Sequence, residues 1–181
     1  MRKDLPGTGK KQKGGSMITI RKSKLEDLAE IMNTYAYARS FMAAHGNPDQ
    51  WGQTNWPPEE LIRSDIAAGK SYVCIENNEI AGVFFYDQGD DIEPAYRTIE
   101  DGSWMDSSPY GVIHRIAGNG KAKGIGHAAI QWACEQCSHF RIDTHPANLV
   151  MQDLLKKEGL IYRGIIHVPE DDDPRIAFER I

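Results

Sequence analysis

Cysteine is scarce in this 181-residue sequence: Cys74, Cys134 and Cys137 are an odd number and outline no disulfide framework. No apolar run approaches the roughly 20 residues that a membrane helix needs, and none near the N-terminus resembles a secretory signal. Cys134 and Cys137 lie one turn apart on a predicted helix without the second ligand pair of a zinc site, which favours two packed thiols. These absences predict a cytoplasmic protein with no membrane partner and no bound metal.

Basic residues are few outside the first sixteen. Residues 1–16 carry a net charge of +4 and the whole chain carries −5, so the rest of the chain carries −9. An acidic body argues against nucleic acid as a partner and favours a cationic one. The Gly- and Lys-rich residues 1–16 lack apolar anchors, which predicts a disordered tail or an extension ahead of an alternative start at Met17. Residues 17–181 then form one domain.

Hydrophobic periodicity predicts alternating strands and helices along that domain. The first half reads as a strand at 17–21, a helix opened by a capping box of Ser23 and Glu26, a short helix ending at Gly69, and a hairpin at Asn77-Asn78. An irregular acidic stretch covers 88–108. The second half reads as a strand at 110–117, a helix at 125–137, a strand at 140–143, a helix at 148–158, and strands at 160–168 and 175–181. The order predicts an α/β (mixed α+β) fold, a twisted mixed sheet with helices on both faces.

The stretch from 110 to 137 joins a strand, a glycine-rich loop and a helix. Loop glycines let backbone N–H groups approach an anion, and the helix N-terminus adds positive charge, so this unit predicts a diphosphate site. No Walker register is present. The spacing from Gly118 to Gly124 is one residue too long for G-x-G-x-x-G, but Asp143 ends the next strand where a ribose-binding acid lies, so a dinucleotide-dependent enzyme stays open. The third interpretation is the acyl-CoA loop Q/R-x-x-G-x-G/A, matched by residues 121–126.

With these motifs in this order, Ile18 to Ile181 resembles the GNAT superfamily of N-acetyltransferases. Lys121 replaces the usual Gln or Arg of the loop motif, and Asn148, followed by a helix and then Gly159-Leu160, resembles the second cofactor motif. The resemblance implies acetyl-CoA as acyl donor and a sheet splayed between 112–117 and 140–143.

The resemblance also implies roles for individual residues. The backbone of Ile116 and Ala117 pairs with the pantetheine arm like an added strand, and Asn148 bonds the arm near the thioester. Leu155 occupies the position where many members carry a Tyr acid for the leaving thiolate. The diphosphate is held by the amides of the loop residues Lys121, Ala122, Lys123, Gly124, Ile125 and Gly126.

A catalytic base is needed to deprotonate an amine acceptor. His114 is the first candidate, because it lies on the strand that lines the acetyl group, two residues before Ile116, and its ordinary pKa near 6.5 suits the task. Glu93, Glu100 and Tyr110 are alternatives. Arg115 is expected to point to the opposite face and to pair with an acid. Three tryptophans in loops, Trp51, Trp56 and Trp104, are placed to enclose a cationic amine, although for any single one of them a cap over the core is the favoured interpretation.

The sequence therefore predicts an N-acetyltransferase acting on a small-molecule or exposed primary amine, which attacks the thioester directly. A non-enzymatic acyl-CoA-binding module is the alternative that the missing Tyr leaves open. The acceptor and the oligomeric state, a homodimer included, are undetermined at this level.

Overall fold

A computed structural model describes residues 17–52, 54–170 and 172–181, so the predicted basic tail lies outside the described residues. Within these described ranges, seven strands form one sheet in the order β1-β2-β3-β4-β5-β7-β6, and among them only β4 and β5 pair in parallel. The strands are β1 (Thr19–Lys22), β2 (Ser71–Glu76), β3 (Glu79–Gly89), β4 (Tyr110–Gly118), β5 (Phe140–Thr144), β6 (Ile161–His167) and β7 (Pro174–Arg180).

Five α-helices of the described residues cover the two faces of the sheet and confirm the predicted mixed fold. They are α1 (Leu28–Ala44), α2 (Asp49–Gly52), α3 (Glu59–Ala67), α4 (Ile125–Gln136) and α5 (Leu149–Lys157). Short 3₁₀ helices cover Leu25–Asp27 and Pro94–Arg97. In the described part of the chain, no helix has the length and apolar character to cross a membrane.

Strand alternation divides the core between the two faces. Phe84 of β3 joins a cluster with Ile130 of α4 and Leu155 of α5. Its neighbour Val83 points to the other face, where it packs with Ile31 of α1 and Ile62 of α3. Successive strand residues face opposite sides of a sheet, so one strand supports both layers. The centre of the long β3, from Ala81 to Phe84, is consequently buried.

The predicted capping box at Ser23 is wrong. The Ser23 hydroxyl instead bonds the Ser71 hydroxyl at 2.8 Å, which ties the end of β1 to the start of β2. The helical region begins at Leu25, and the Asp27 carboxylate accepts the Lys24 N–H at 2.7 Å. Asp27 therefore caps the helical region from inside its first turn, since the Ser23 hydroxyl is already bonded to Ser71.

A buried ion network anchors the acidic stretch 88–108 to the sheet. Glu179 of β7 is completely buried and accepts hydrogen bonds from Arg141 at 2.9 Å and from the Met105 N–H at 2.5 Å; its carboxylate also lies 2.7 Å from His139 Nε2. The Arg141 guanidinium lies 4.3 Å from the ring centre of Trp104. Trp104 thus packs against this network. These contacts fix a segment whose sequence predicts only irregular structure.

Candidate functional site

The parallel strands β4 and β5 separate soon after they start. Their backbone register consists of Gly111 with Phe140 and Val112 with Arg141. Beyond Val112 the two strands diverge, although β4 continues to Gly118 and β5 to Thr144. This confirms the splay expected between 112–117 and 140–143, and it opens a gap in the middle of the sheet.

A bulge in β4 shapes one wall of the gap. Arg115 has φ 53°, which is unusual for a residue with a side chain, and the β3–β4 register shifts between Val83 and Phe85. Strict alternation therefore fails, and His114, Arg115 and Ile116 all border the same cavity. The prediction that Arg115 points to the opposite face from His114 is wrong for this reason. The predicted pairing with an acid holds, because Arg115 bonds Asp65 of α3 at 2.6 Å.

A first cavity at the gap is an apolar groove of about 320 Å³ between α1 and α5. Its walls include Phe41, Ala117, Ile125 and Leu154. Of the residues predicted to hold the donor, Ile116, Ala117, Ala122, Ile125, Gly126 and Asn148 line this groove. The structure therefore brings most of the predicted cofactor residues to one surface.

The glycine loop ends where α4 begins. Gly124 is the N-cap residue of α4, with φ 80°, and a Cβ built on it would meet nothing within 4 Å. The N–H groups of the first helical turn have no acceptor within the helix. Lys123 and Gly124 are exposed beside them. This corner can accept an anion.

Two other loop residues are occupied by contacts inside the protein. The Lys121 N–H donates to Asn119 Oδ1 at 3.1 Å, and its side chain pairs with Glu79 at 3.1 Å. At Gly126, a Cβ would lie 2.6 Å from Leu154 Cδ2, so this glycine permits the close contact of α4 with α5. The anion-binding geometry consequently concentrates at the start of α4.

The second cavity, the polar chamber, measures about 290 Å³ and lies behind the bulge. Glu93, His114 and Asp143 line it, and Trp51 and Trp56 lie on its wall. It shares five bordering residues with the apolar groove, namely Met42, Trp51, Ile116, Asn148 and Met151. The two cavities therefore meet at a common neck.

The candidate catalytic residues form a connected group in the chamber wall. His114 Nε2 lies 2.7 Å from Glu93 Oε2. Burial alone would raise the pKa of Glu93, but the hydrogen bond and charge of His114 outweigh it and lower this pKa. The other oxygen of Glu93 accepts the Ala95 N–H at 3.4 Å and caps the 3₁₀ helix that follows. Glu93 is thus held from both sides.

Tyr110 supports this group from behind. Its ring is buried, and its hydroxyl accepts the Glu93 N–H at 3.2 Å. Burial raises the pKa of Tyr110. Tyr110 is absent from the chamber lining, so it lies behind Glu93 and does not border the chamber. Glu100 is also remote, because its backbone pairs with Ile165.

Asn148 lies at the neck, where it is the N-cap of α5. Its side-chain oxygen accepts the Met151 N–H at 3.1 Å, and its amide donates to Gln50 Oε1 at 3.2 Å. Sequence reasoning missed Gln50, which is 98 residues away along the chain. It also missed the proximity of Asp143 to His114, in which Asp143 Oδ2 lies 3.9 Å from His114 Nδ1. The available signal was the position of Asp143 at the carboxyl end of a strand beside the splay.

Comparison with solved structures relates this fold to acetyltransferases. A GNAT-family acetyltransferase from Streptococcus agalactiae is 30% identical, with a TM-score of 0.81 over 91% of this chain and 95% of that one. A Staphylococcus aureus protein assigned to the acetyltransferases is 25% identical, with a TM-score of 0.64 over 89% and 97%. A Drosophila melanogaster polyamine N-acetyltransferase has a TM-score of 0.57 at 12% identity, over 91% and 100%. No family model and no curated protein matches the sequence.

The splayed mixed sheet with its strand, glycine loop and helix defines an acyltransferase fold. The chain belongs to the GNAT family of acetyltransferases. It is therefore an acyltransferase, and members of this family generally use acetyl-CoA as donor.

Proposed function

We propose that the protein transfers the acetyl group of acetyl-CoA to a small-molecule or exposed primary amine. The observation that carries the proposal is the neck at which the apolar groove meets the polar chamber. A donor in the groove and an acceptor in the chamber can come into contact there. The neck lies directly beside the β4 bulge, since Ile116 borders both cavities.

The residues present fit the donor. The apolar groove suits the pantetheine arm, and the gap beside Ile116 and Ala117 leaves room for it along β4. The diphosphate fits the start of α4, where the open side of Gly124 admits a group that any side chain would obstruct. Bound acetyl-CoA supplies the thioester carbon that the amine attacks.

His114 is the base in this proposal, and Glu93 fixes its orientation. If Glu93 accepts the Nε2 hydrogen, Nδ1 carries the lone pair and can take a proton from the amine. A lysine-like amine has a pKa of about 10.4, so its deprotonation at neutral pH costs roughly 4.6 kcal/mol. A base in contact with the amine recovers part of that cost.

The β4 bulge supplies a candidate donor for the developing oxyanion. The Tyr35 hydroxyl donates to the Arg115 carbonyl at 3.1 Å and so fixes the peptide between Arg115 and Ile116. In a trans peptide the N–H points opposite to the carbonyl, so the Ile116 N–H is directed away from Tyr35. We assign the oxyanion to this N–H, which would stabilise it as a preorganised dipole.

The leaving thiolate departs in this proposal without a dedicated acid. Leu155 occupies the position of the family Tyr and is fully buried in the core, outside both cavity linings. A thiol with an ordinary pKa of about 8.5 is a competent leaving group as its anion. Water can return the proton afterwards.

The test combines binding and turnover. Coenzyme A should stabilise the protein against heat, and acetyl-CoA should release thiol in the presence of at least one amine of a panel. His114→Gln should lower kcat/KM by about 100-fold, whereas His167→Gln, on an exposed part of β6, should leave it unchanged. Tight coenzyme A binding with no thiol release for any amine would instead favour an acyl-CoA-binding module. Stabilisation by NAD(P) and not by coenzyme A would favour a dinucleotide enzyme.

A further inference from the structure

Asp143 lines the polar chamber, but the roles proposed for His114 and Glu93 leave it without a function. It is the fourth residue of β5, beyond the point where β4 and β5 diverge. Its carboxylate Oδ2 accepts a hydrogen bond from the Tyr96 hydroxyl at 2.8 Å and lies 3.9 Å from His114 Nδ1. The Asp143 side chain is 9% exposed, and the residue lines the chamber.

Tyr96 holds this carboxylate as a permanent donor. The phenol is fully enclosed, and burial together with the charge of Asp143 raises the pKa of Tyr96 well above its usual value. A phenol that keeps its proton donates to a carboxylate and stabilises the ionised form. In the described part of the chain no hydrogen bond reaches the other carboxyl oxygen, Oδ1. One oxygen of Asp143 is therefore fixed, and the other is available to a ligand.

Two of the carboxylates that line the chamber, those of Glu93 and Asp143, flank opposite sides of one imidazole. Glu93 contacts Nε2 at 2.7 Å, whereas Asp143 lies 3.9 Å from Nδ1. The second distance is too long for a hydrogen bond. A group with several N–H donors can bridge it, donating one hydrogen to Asp143 and another to His114. A protonated primary amine has three such hydrogens.

We propose that Asp143, held by Tyr96, binds the ammonium group of the acceptor and selects acceptors that arrive as cations. The inference rests on the proposed amine acetylation and names its substrate class. The ammonium loses one proton to His114 Nδ1, the nitrogen bonds to the acetyl carbon, and the carbon–sulfur bond breaks. The nitrogen then loses a second proton. One of the two protons protonates the thiolate and the other is released, so ammonium and thioester yield amide, thiol and one proton.

The experiment uses n-butylamine, 1,4-diaminobutane and lysinamide as probes, all cationic at neutral pH. With the best of the three, Asp143→Asn should raise the KM for the amine about tenfold or more, because a charge-assisted hydrogen bond is lost. The KM for acetyl-CoA should stay within twofold. Asp153→Asn, on the exposed side of α5, is the matched control and should change neither constant.

Tyr96→Phe is the second variant, since it keeps the carboxylate and removes only its support. It should raise the KM for the amine in the same direction by a smaller factor. An amine KM within twofold of wild type in both variants, or a fall in kcat alone, overturns the role of Asp143. Absence of turnover by the wild-type protein with every probe, despite coenzyme A binding, overturns the proposed function instead.

Discussion

At the scale of single residues, Glu93 connects backbone structure with chemistry. One carboxylate oxygen caps the 3₁₀ helix at Pro94–Arg97, and the other contacts His114. We expect Glu93→Gln to lower kcat/KM by about 100-fold, because an amide no longer favours the imidazole tautomer or the imidazolium that forms. Steady-state kinetics would show it. Glu100→Gln, an exposed acid of the same segment, should behave as wild type, and equal losses in both variants would contradict the assignment.

The same carboxylate should contribute to stability in a pH-dependent way. The pKa of Glu93 is lowered in the folded protein, so its stabilising contribution is present above the ordinary value of about 4.3 and is lost as the pH falls through the lower folded value. We expect the urea midpoints of wild type and Glu93→Gln to differ at neutral pH and to converge in acid. A difference that grows on acidification would show the opposite sign of shift.

The positions of some candidate residues were predictable from the sequence, but their roles stay predictions. His114 was placed by alternation with Ile116, and it does border the chamber with Glu93, although the bulge interrupts that alternation. Tyr110 meets Glu93 through the buried face of the loop, which no local pattern reveals. From the sequence, Asp143 was a candidate only for a ribose-binding acid. Its contact with Tyr96 was not predictable, because it joins residues 47 positions apart.

At the scale of elements, the junction of loop and α4 can be tested at its N-cap. We expect Gly124→Ala to cost about 1–2 kcal/mol in stability, since φ 80° is unfavourable for a residue with a Cβ. It should also raise the KM for acetyl-CoA several-fold, because the methyl group enters the open space assigned to the diphosphate. Chemical denaturation and donor-saturation curves give the two numbers.

Gly159→Ala is a closely matched control for this variant. Gly159 has the same φ of 80° and the same absence of neighbours, but it follows the end of α5. Its stability cost should be similar and its effect on the acetyl-CoA KM negligible. If both variants raise that KM equally, the effect is one of general stability and the diphosphate assignment at Gly124 fails.

Most elements were predictable to within a few residues because periodicity and turn chemistry agree along the chain. The hairpin at Asn77 and Asn78 is one case, with both residues at positive φ as a type I′ turn requires. Ser23 was assigned wrongly because capping preference is local, whereas its bond to Ser71 depends on the pairing of β1 with β2. The bulge at Arg115 was equally unpredictable from the sequence, because the assumption of regular strand alternation gives no sign of it.

At the scale of the whole molecule, the divergence of β4 and β5 leaves a gap in the sheet. We expect a ligand that fills this gap to stabilise the fold. At a coenzyme A concentration of 100 times its Kd, mass action adds about 2.7 kcal/mol to stability. For a domain of this size that is roughly 5–10 °C in Tm. Hydrogen exchange should slow most at amides of β4 beyond Val112, and slowing confined to β6 and β7 would place the ligand elsewhere.

The neck between the groove and the chamber has a consequence for the choice of donor. The flexible side chain of Met151 borders both cavities. We expect it to limit how far an acyl chain can project past the thioester. Met151→Ala should therefore raise the turnover of butyryl-CoA relative to acetyl-CoA, measured as competing kcat/KM values. An unchanged ratio would assign chain-length discrimination to another wall. If the ratio does rise, the Met151 thioether, which borders both cavities, sets the longest acyl chain that the enzyme accepts.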